Sequence, residues 1–455
     1  MGLFTTKIPK IGGSGLARHL TLLDVSFIGV GAIIGAGIFV ITGQAAATTA
    51  GPAIVLSFLI AAIAVGITAL IYAEMSSIYP VSGSAYNYTY ATLGEFFAWL
   101  VGWNLLLEYG VATSAIATGW SGYFRTFIDT NFHVALPVAL SGAYDPDKGT
   151  FVDVSAFVVI MAIFVLLALG IKESARVNNV IVYIKIAVLS IFVIFGLQHF
   201  DIHNIQNFFP FGYEGVWHAT SLIIFAYLGF DAISTVAEET KDPTKTIPKA
   251  LMLSLAFSTM FFILVSFTLT SMVSYTQLNV PDALAFAMVK VDEPFIASII
   301  ALGAVVTITT VMLVMGLGFT RVAFALSRDG FLPKKLCEIH PKTNTPVKLT
   351  LYGGFFLAFL AGFLPLKILA ELVNIGTLFA YFVVAIAIVL LRKKGLVGSF
   401  RLPMFWVLIP LNFALLIFIM AGLETHTWIR FALWSGIGIM IYFAMRGKLA
   451  THEEA

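Results

Sequence analysis

Val25-Ser-Phe-Ile-Gly29-Val-Gly31-Ala-Ile-Ile-Gly35-Ala-Gly37-Ile-Phe39-Val-Ile opens a run of 49 residues, between Asp24 and Glu74, without a single Asp, Glu, Lys or Arg. A helix needs about 20 apolar residues to cross a bilayer, so the run holds two crossings. The rest of the chain is of the same kind. Of its 455 residues 59% are hydrophobic and 11% charged, with a mean hydropathy of +0.96, against roughly 25% charged in a soluble domain. So few polar side chains cannot cover a globule in water. Soluble enzymes, nucleic-acid binders and disulfide scaffolds are excluded. A net charge of +2 gives no field for a polyanionic partner. The single Cys337 allows neither an internal disulfide nor a cysteine metal site. No cleavable signal peptide is expected, because residues 1–22 are polar and basic and the apolar run behind them is too long.

Working outward, apolar runs and their charged or Pro-rich breaks predict an all-α polytopic protein with twelve spans. The first six lie at 23–48, 53–78, 93–124, 154–171, 177–198 and 216–238. The second six lie at 250–274, 295–327, 347–364, 368–391, 402–423 and 428–445. An even number of spans puts both termini on one side. With that side inside, 19 of the 26 Lys and Arg fall on inner segments, five on outer ones, and Lys185 and Arg321 within spans. The positive-inside rule then predicts cytoplasmic termini in a plasma-membrane protein. The expected organisation is a cytoplasmic tail at 1–22, a first five-helix repeat at 23–198 and a second at 216–391, accessory helices at 402–445, and a tail at 446–455.

The two repeats rest on where helices are interrupted. Span 1 carries four glycines within nine residues, Gly29 to Gly37, and span 6 reads Phe225-Ala-Tyr-Leu-Gly229-Phe-Asp231. Gly31 and Gly35 also read as a small-xxx-small packing pair. A dinucleotide fingerprint fails, since no strand precedes the glycines. Gly-interrupted helices at corresponding places in two halves point to an inverted-repeat transporter site at mid-bilayer. Unwinding at Gly31–Gly37 exposes amides of the outer half-helix and carbonyls of the inner half. Amides suit a carboxylate and carbonyls an ammonium, so a zwitterionic amino acid fits.

Several motifs agree with this. Gly35-Ala-Gly37-Ile-Phe39 and Tyr79-Pro-Val-Ser-Gly83-Ser-Ala-Tyr86 resemble the amino acid–polyamine–organocation superfamily. Gly102-Trp-Asn-Leu-Leu-Leu-Glu108-Tyr109, Phe225 to Asp231, Glu238-Glu239, Arg321 through Asp329-Gly330, and Ile375-Gly-Thr-Leu-Phe-Ala-Tyr381 narrow it. Together they resemble the cationic amino acid transporter subfamily in its shorter bacterial form, over residues 20–395. The resemblance implies the leucine-transporter-type five-plus-five core, with helices 1 and 6 unwound and two accessory helices. It implies substrate contacts at Ile33, Gly35, Ala36, Gly37, Glu108, Phe225, Ala226, Leu228, Asp231 and Met315. It also makes Phe225 an aromatic lid, and puts Lys185 where sodium-coupled relatives bind their ion.

Charges at bilayer depth cost on the order of 2.5–3.5 kcal/mol each, so each is a functional candidate. Lys185 reads either as a tether donating to carbonyls of span 1 or as a proton-linked switch. Asp231 reads as a proton acceptor, a gate-orienting group or an ion-pair partner of Lys185. Glu108 reads as a cavity-facing acid, or as a protonated core residue. Lys185, Asp231, Glu108 and Phe225 are thus the expected coupling and gating residues. Glu371 reads as an outer gate or a cap. No His pair at helical spacing and no nucleophile–base motif supports a metal site or an enzyme. The expected protein is an alternating-access secondary transporter of L-amino acids, with a proton as coupling ion, no other cofactor and no obligatory subunit. Met315, a flexible apolar filler, favours small or medium neutral substrates such as alanine. Glu108 leaves arginine or lysine transport, or exchange, as the alternative; a channel and a membrane sensor are the rival classes.

Overall fold

The computed structural model describes residues 5–6, 20–80, 84–170, 175–343 and 345–453. Most of the N-terminal tail, residues 81–83 of the Tyr79–Tyr86 motif, and Lys172 lie outside the described residues. The described chain is helical, and its only bridge-type pairings are three isolated ones. Its helices are α1 (Leu22–Ile33), α2 (Thr42–Ala45), α3 (Ile54–Ile78), α4 (Ser84–Thr92), α5 (Glu95–Leu106), α6 (Ala112–Phe132), α7 (Val154–Ala168), α8 (Ala175–Gly196) and α9 (Gly212–Ile223). The remainder are α10 (Ala232–Thr235), α11 (Pro243–Met272), α12 (Ala283–Lys290), α13 (Pro294–Arg328), α14 (Val347–Phe363), α15 (Leu366–Lys393), α16 (Phe405–Ala421) and α17 (Thr425–Glu453). Among the described residues, eight helical stretches are long and apolar enough to cross a membrane. One of them, Leu22–Ile78, contains both α1 and α3, and α7, α14 and α16 are shorter apolar helices.

Local chemistry sets the boundaries. Thr21 and Asp24 form a reciprocal capping box that starts α1. Asn179 on α8 donates to the same Asp24 carboxylate at 3.1 Å, which fixes where α1 enters the bundle. α11 starts seven residues before the span read at 250, because Pro243 stands at its first turn and tolerates the missing N–H there. α6 runs past the span read to 124 and ends at Phe132, where His133 takes a left-handed backbone at φ 54°. Two short helices, α4 and α12, lie in stretches read as connections.

Packing follows a consistent scheme. α11 lies against α1 and α3, α3 against α9, and α1 against α8. α13 packs on α6 and α8, α14 on α7, and α15 on α5 and α6. Large apolar side chains face outward as well as inward: Trp406 is 79% exposed, Phe295 74% and Tyr352 69%. An exposed apolar belt of this kind is what lipid covers.

Polar ties hold the two ends of the bundle. At the end bearing Leu22, the fully buried Glu74 accepts from Arg392 Nε at 2.8 Å and Nη2 at 2.7 Å, and from the Leu402 amide at 2.7 Å. The guanidinium also lies 3.9 Å over the Phe405 ring. Leu20 pairs with the strand-like stretch around Thr240 through two backbone bonds of 3.0 Å each. At the opposite end, Glu371 accepts from the Thr427 hydroxyl, and Lys367 bonds Glu424. This joins α15 to the α16–α17 connection.

Candidate functional site

The first helix breaks just after Ile33. Ile34 leaves helical geometry at φ −77°, ψ 89°. The chain then re-enters as a wide, π-helical turn at Gly37–Ile41. The break is narrower than the glycine spacing implies. Gly31 stays helical because its carbonyl has a partner: Lys185 Nζ, on α8, donates to it at 2.5 Å. The other side of the break is pinned too, since the Tyr123 hydroxyl donates to Phe39 O at 2.5 Å.

A second break lies in the chain from α9 to α10. After α9 the backbone tightens into a 3₁₀ turn at Ile224–Tyr227, and Leu228 is extended at φ −57°, ψ 147°. Gly229 follows at φ +89°, a conformation other L residues seldom take. Asn374 on α15 donates to Ser221 O at 2.9 Å and Leu222 O at 2.8 Å, which fixes the end of α9.

The two breaks touch each other twice. A Cβ on Gly37 would lie 2.1 Å from Ala226 Cα, and one on Gly229 would lie 3.0 Å from Ala32 Cβ. At the crossing, α1 and α9 each present a C-terminal end, where carbonyls lack helical partners, and the amides after Gly35 present an N-terminal one. That pairing of polarities is suited to an ammonium and a carboxylate on one small molecule.

Between the breaks is a narrow pocket of about 10 Å³. Of the residues named from sequence, Ile33, Gly35, Ala36, Gly37, Phe225, Leu228 and Met315 line it. Ala226 packs against Gly37 rather than facing the pocket. Ala32, Ile116 and Val311 also line it and were not named. Periodicity carried the signal for one of them: Val311 is one helical turn before Met315.

Glu108 and Asp231 are not among the lining residues. Both are almost fully buried, at 2% and 1% exposure. Glu108 lies in a second wide turn, Leu107–Val111, beside the Thr377 hydroxyl. Its neighbour Tyr109 donates to Asp231 Oδ2 at 3.1 Å, which links that turn to the second break. Lys185, also 1% exposed, reaches the first break from α8. The three buried charges thus bear on the two breaks from outside the pocket wall. Among the described residues, no three His, Cys, Asp or Glu side chains gather to hold a metal ion.

The chain matches the family described as amino acid permease over residues 20–444. It is 45% identical over 442 residues to the branched-chain amino acid permease BcaP of Bacillus subtilis (strain 168), covering 96% of this chain and 95% of that one. It is 44% identical over 435 residues to the methylthioribose transporter of the same organism, covering 95% and 94%. It is 36% identical over 383 residues to cationic amino acid transporter 4 of Homo sapiens, covering 83% of this chain and 60% of the human protein. A family-wide match and these relatives agree with the crossed helix breaks: the chain belongs to the amino acid permease family of the amino acid–polyamine–organocation superfamily, a multi-pass membrane permease and not an enzyme.

Proposed function

We propose that this permease is a secondary active transporter of small to medium neutral L-amino acids, alanine among them, coupled to protons and independent of sodium. The observation that carries the substrate reading is the pocket wall. Around the exposed backbone ends stand Ile33, Ile116, Phe225, Leu228, Val311 and Met315, none with a side-chain charge. The backbone serves the α-ammonium and α-carboxylate, and the wall serves an apolar side chain. A guanidinium or ammonium side chain would be buried there without a partner, which costs several kcal/mol. The names of the two Bacillus relatives, one for branched-chain amino acids and one for methylthioribose, show that about 45% identity does not by itself fix the cargo.

Twelve spans in two inverted repeats of five, with two accessory helices, form the architecture of this reading. Counting Leu22–Ile78 as two crossings and adding the three shorter helices reaches that total. The packing scheme supports the symmetry. An inverted repeat exchanges each span with the one five places on, so contacts should come in exchanged pairs. The α1–α11 contact is matched by α3–α9, and α13–α8 by α15 on α5 and α6, while α13–α6 and α14–α7 map onto themselves. The termini are cytoplasmic in this scheme and the membrane is the cell membrane.

Coupling is assigned to Lys185, whose ammonium holds the carbonyl at the first break. Losing its proton would remove the charge that strengthens the bond to Gly31 O and let the break relax, while Asp231 and Glu108 bear on the second. The test is reconstitution in liposomes with radiolabelled alanine, leucine and arginine. Alanine should show saturable counterflow, and a pH gradient should drive accumulation that Lys185→Ala abolishes while counterflow persists. Accumulation driven by a sodium gradient at fixed pH would sink the coupling assignment. Arginine moving faster than alanine would overturn the substrate reading in favour of Glu108 as a side-chain ligand.

A further inference from the structure

A larger cavity, of about 430 Å³, opens at the end of the bundle opposite Leu22. Arg125, Thr126 and Asp129 from α6 line it, with Val134 and Leu136 from the following loop and Pro281 and Asp282 from before α12. It is separate from the central pocket. Ile116, which lines that pocket, precedes Arg125 on the same run of helix by about 13 Å at 1.5 Å per residue. Between them Tyr123 is fully buried, bonded to Phe39 O and approached by the Leu284 amide at 3.4 Å.

The Arg125 charge bears on the buried carboxyls of Asp282 and Asp153, and Asp129 stands outside that set. Arg125 and Asp129 stand one helical turn apart, a spacing at which opposite charges ordinarily pair. Here Arg125 Nε donates to Ser121 O at 3.2 Å and Nη1 donates to Ser141 O. These bonds leave Nη2 for something else. The third charge, Asp282, takes the Thr126 hydroxyl. Asp129 has no hydrogen-bond or ion-pair partner among the described residues. It also lies in the last turn of α6, which has no basic residue. A carboxylate there stands at the negative end of the helix and raises the attraction for a cation.

We propose that this cavity is a second, weaker site for zwitterionic amino acids, which places the carboxylate on Arg125 and the ammonium on Asp129 before the Tyr123 barrier opens. Phe124, Val134, Leu136 and Val280 give an apolar wall for the side chain. Neither a simple anion nor a simple cation satisfies both charges. The assignment rests on the proposed amino-acid cargo, and the test separates the two.

Saturation-transfer NMR on the full chain in nanodiscs, with L-alanine as probe, reads weak binding directly. Gly35→Val blocks the central pocket: a Cβ there would meet only the Val311 side chain, at 3.2 Å, so the fold should survive. Saturation transfer should persist in Gly35→Val and be lost when Asp129→Asn is added. Acetate and methylammonium at equal concentration should leave it unchanged. Asp129→Asn keeps the shape of a side chain with no protein partner, so misfolding is not its expected effect. Loss of the signal in Gly35→Val alone, with the parent positive, would leave one site and overturn the proposal. So would a signal indifferent to Asp129→Asn, or displaced by acetate or methylammonium alone, or absent from both parent and Gly35→Val. A parent without alanine counterflow but with an Asp129-dependent signal would overturn the transport reading and leave this site standing.

Discussion

Replacing Gly37 by alanine tests whether the two helix breaks act as one site. The added Cβ would lie 2.1 Å from Ala226 Cα, 2.5 Å from its Cβ and 3.0 Å from its amide nitrogen. Carbon atoms settle at about 3.5–4.0 Å, so the breaks must part by roughly 1.4 Å or more. The obstacle is backbone and cannot rotate away. A separation of that size takes an ordinary 2.9 Å hydrogen bond beyond about 4 Å, where it no longer exists. Losing one bond to a charged group costs about 1.5–3 kcal/mol. At about 1.4 kcal/mol per tenfold, affinity should fall roughly 10- to 150-fold. The overpacking itself should cost about 1–3 kcal/mol of stability, against a folding free energy of about 5–15 kcal/mol. The assay is equilibrium binding of radiolabelled L-alanine to purified protein, with a thermal unfolding scan on the same sample. Gly35→Ala is the control, since its neighbour is the Val311 side chain at 3.2 Å, which can yield by a few tenths of an ångström. Its loss should stay below about tenfold. A Gly37→Ala protein that binds alanine within threefold of the parent would refute the reasoning.

Other perturbations probe other links. Met315→Ser should raise arginine uptake several-fold without abolishing alanine uptake, because the Met315 tip, 3.1 Å from the Cβ position of Gly229, fills the pocket beside the second break; competitive uptake in proteoliposomes decides it. Glu74→Ala should destabilise the fold by about 3 kcal/mol, since it strips a two-bond partner from the half-buried Arg392. Adding Arg392→Leu should recover part of that loss in the denaturation midpoint, and no recovery would mean the damage is cavity formation. Burial pushes the Asp282 carboxyl above the usual carboxylate range, against the Thr126 bond and the Arg125 charge. A raised folded-state value means no contribution in acid and a stability loss as pH rises through that value. Asp282→Asn should therefore gain thermal stability over the parent at pH 7, with the gain shrinking toward about pH 4. A gain that grows in acid would reverse the sign and remove the assignment.

The parts legible in the sequence are those that depend on solvent and on backbone freedom. The charge-free run from Val25 and the glycines of the first helix announced membrane helices and a break, because lipid forbids unpaired backbone except beside a cavity. The second break was legible from Gly229 next to Asp231. The exact edges were not. The first break begins at Ile34 rather than Gly31, because Lys185 arrives from 154 residues away to hold Gly31 O, and no local pattern records that distance. For the same reason Glu108 and Asp231 could be named as buried charges but not placed relative to the pocket wall. Glu108 is placed by Thr377, which reaches it only when α15 packs on the Leu107–Val111 turn, and Asp231 by Tyr109 of that same turn. α4 and α12 were missed since short helices carry too few residues to show a period.

Among the described residues three turns are wound wide: Gly37–Ile41, Ala46–Ala50 and Leu107–Val111. Such a turn closes its bonds one residue further on than an α turn, so it holds one residue in reserve. Deleting a residue there lets the turn close as ordinary α-helix and leaves the rest of the helix in register. The same deletion within α3 would rotate everything beyond it by about 100° and shorten it by about 1.5 Å. The reserve can also be spent without any change of sequence. When a wide turn tightens, its extra residue passes along the helix, and the segment beyond turns by one residue's worth while every amide keeps a partner. Helices built this way change length in whole residues rather than by bending, and one of the three turns directly follows the first break while another carries Glu108.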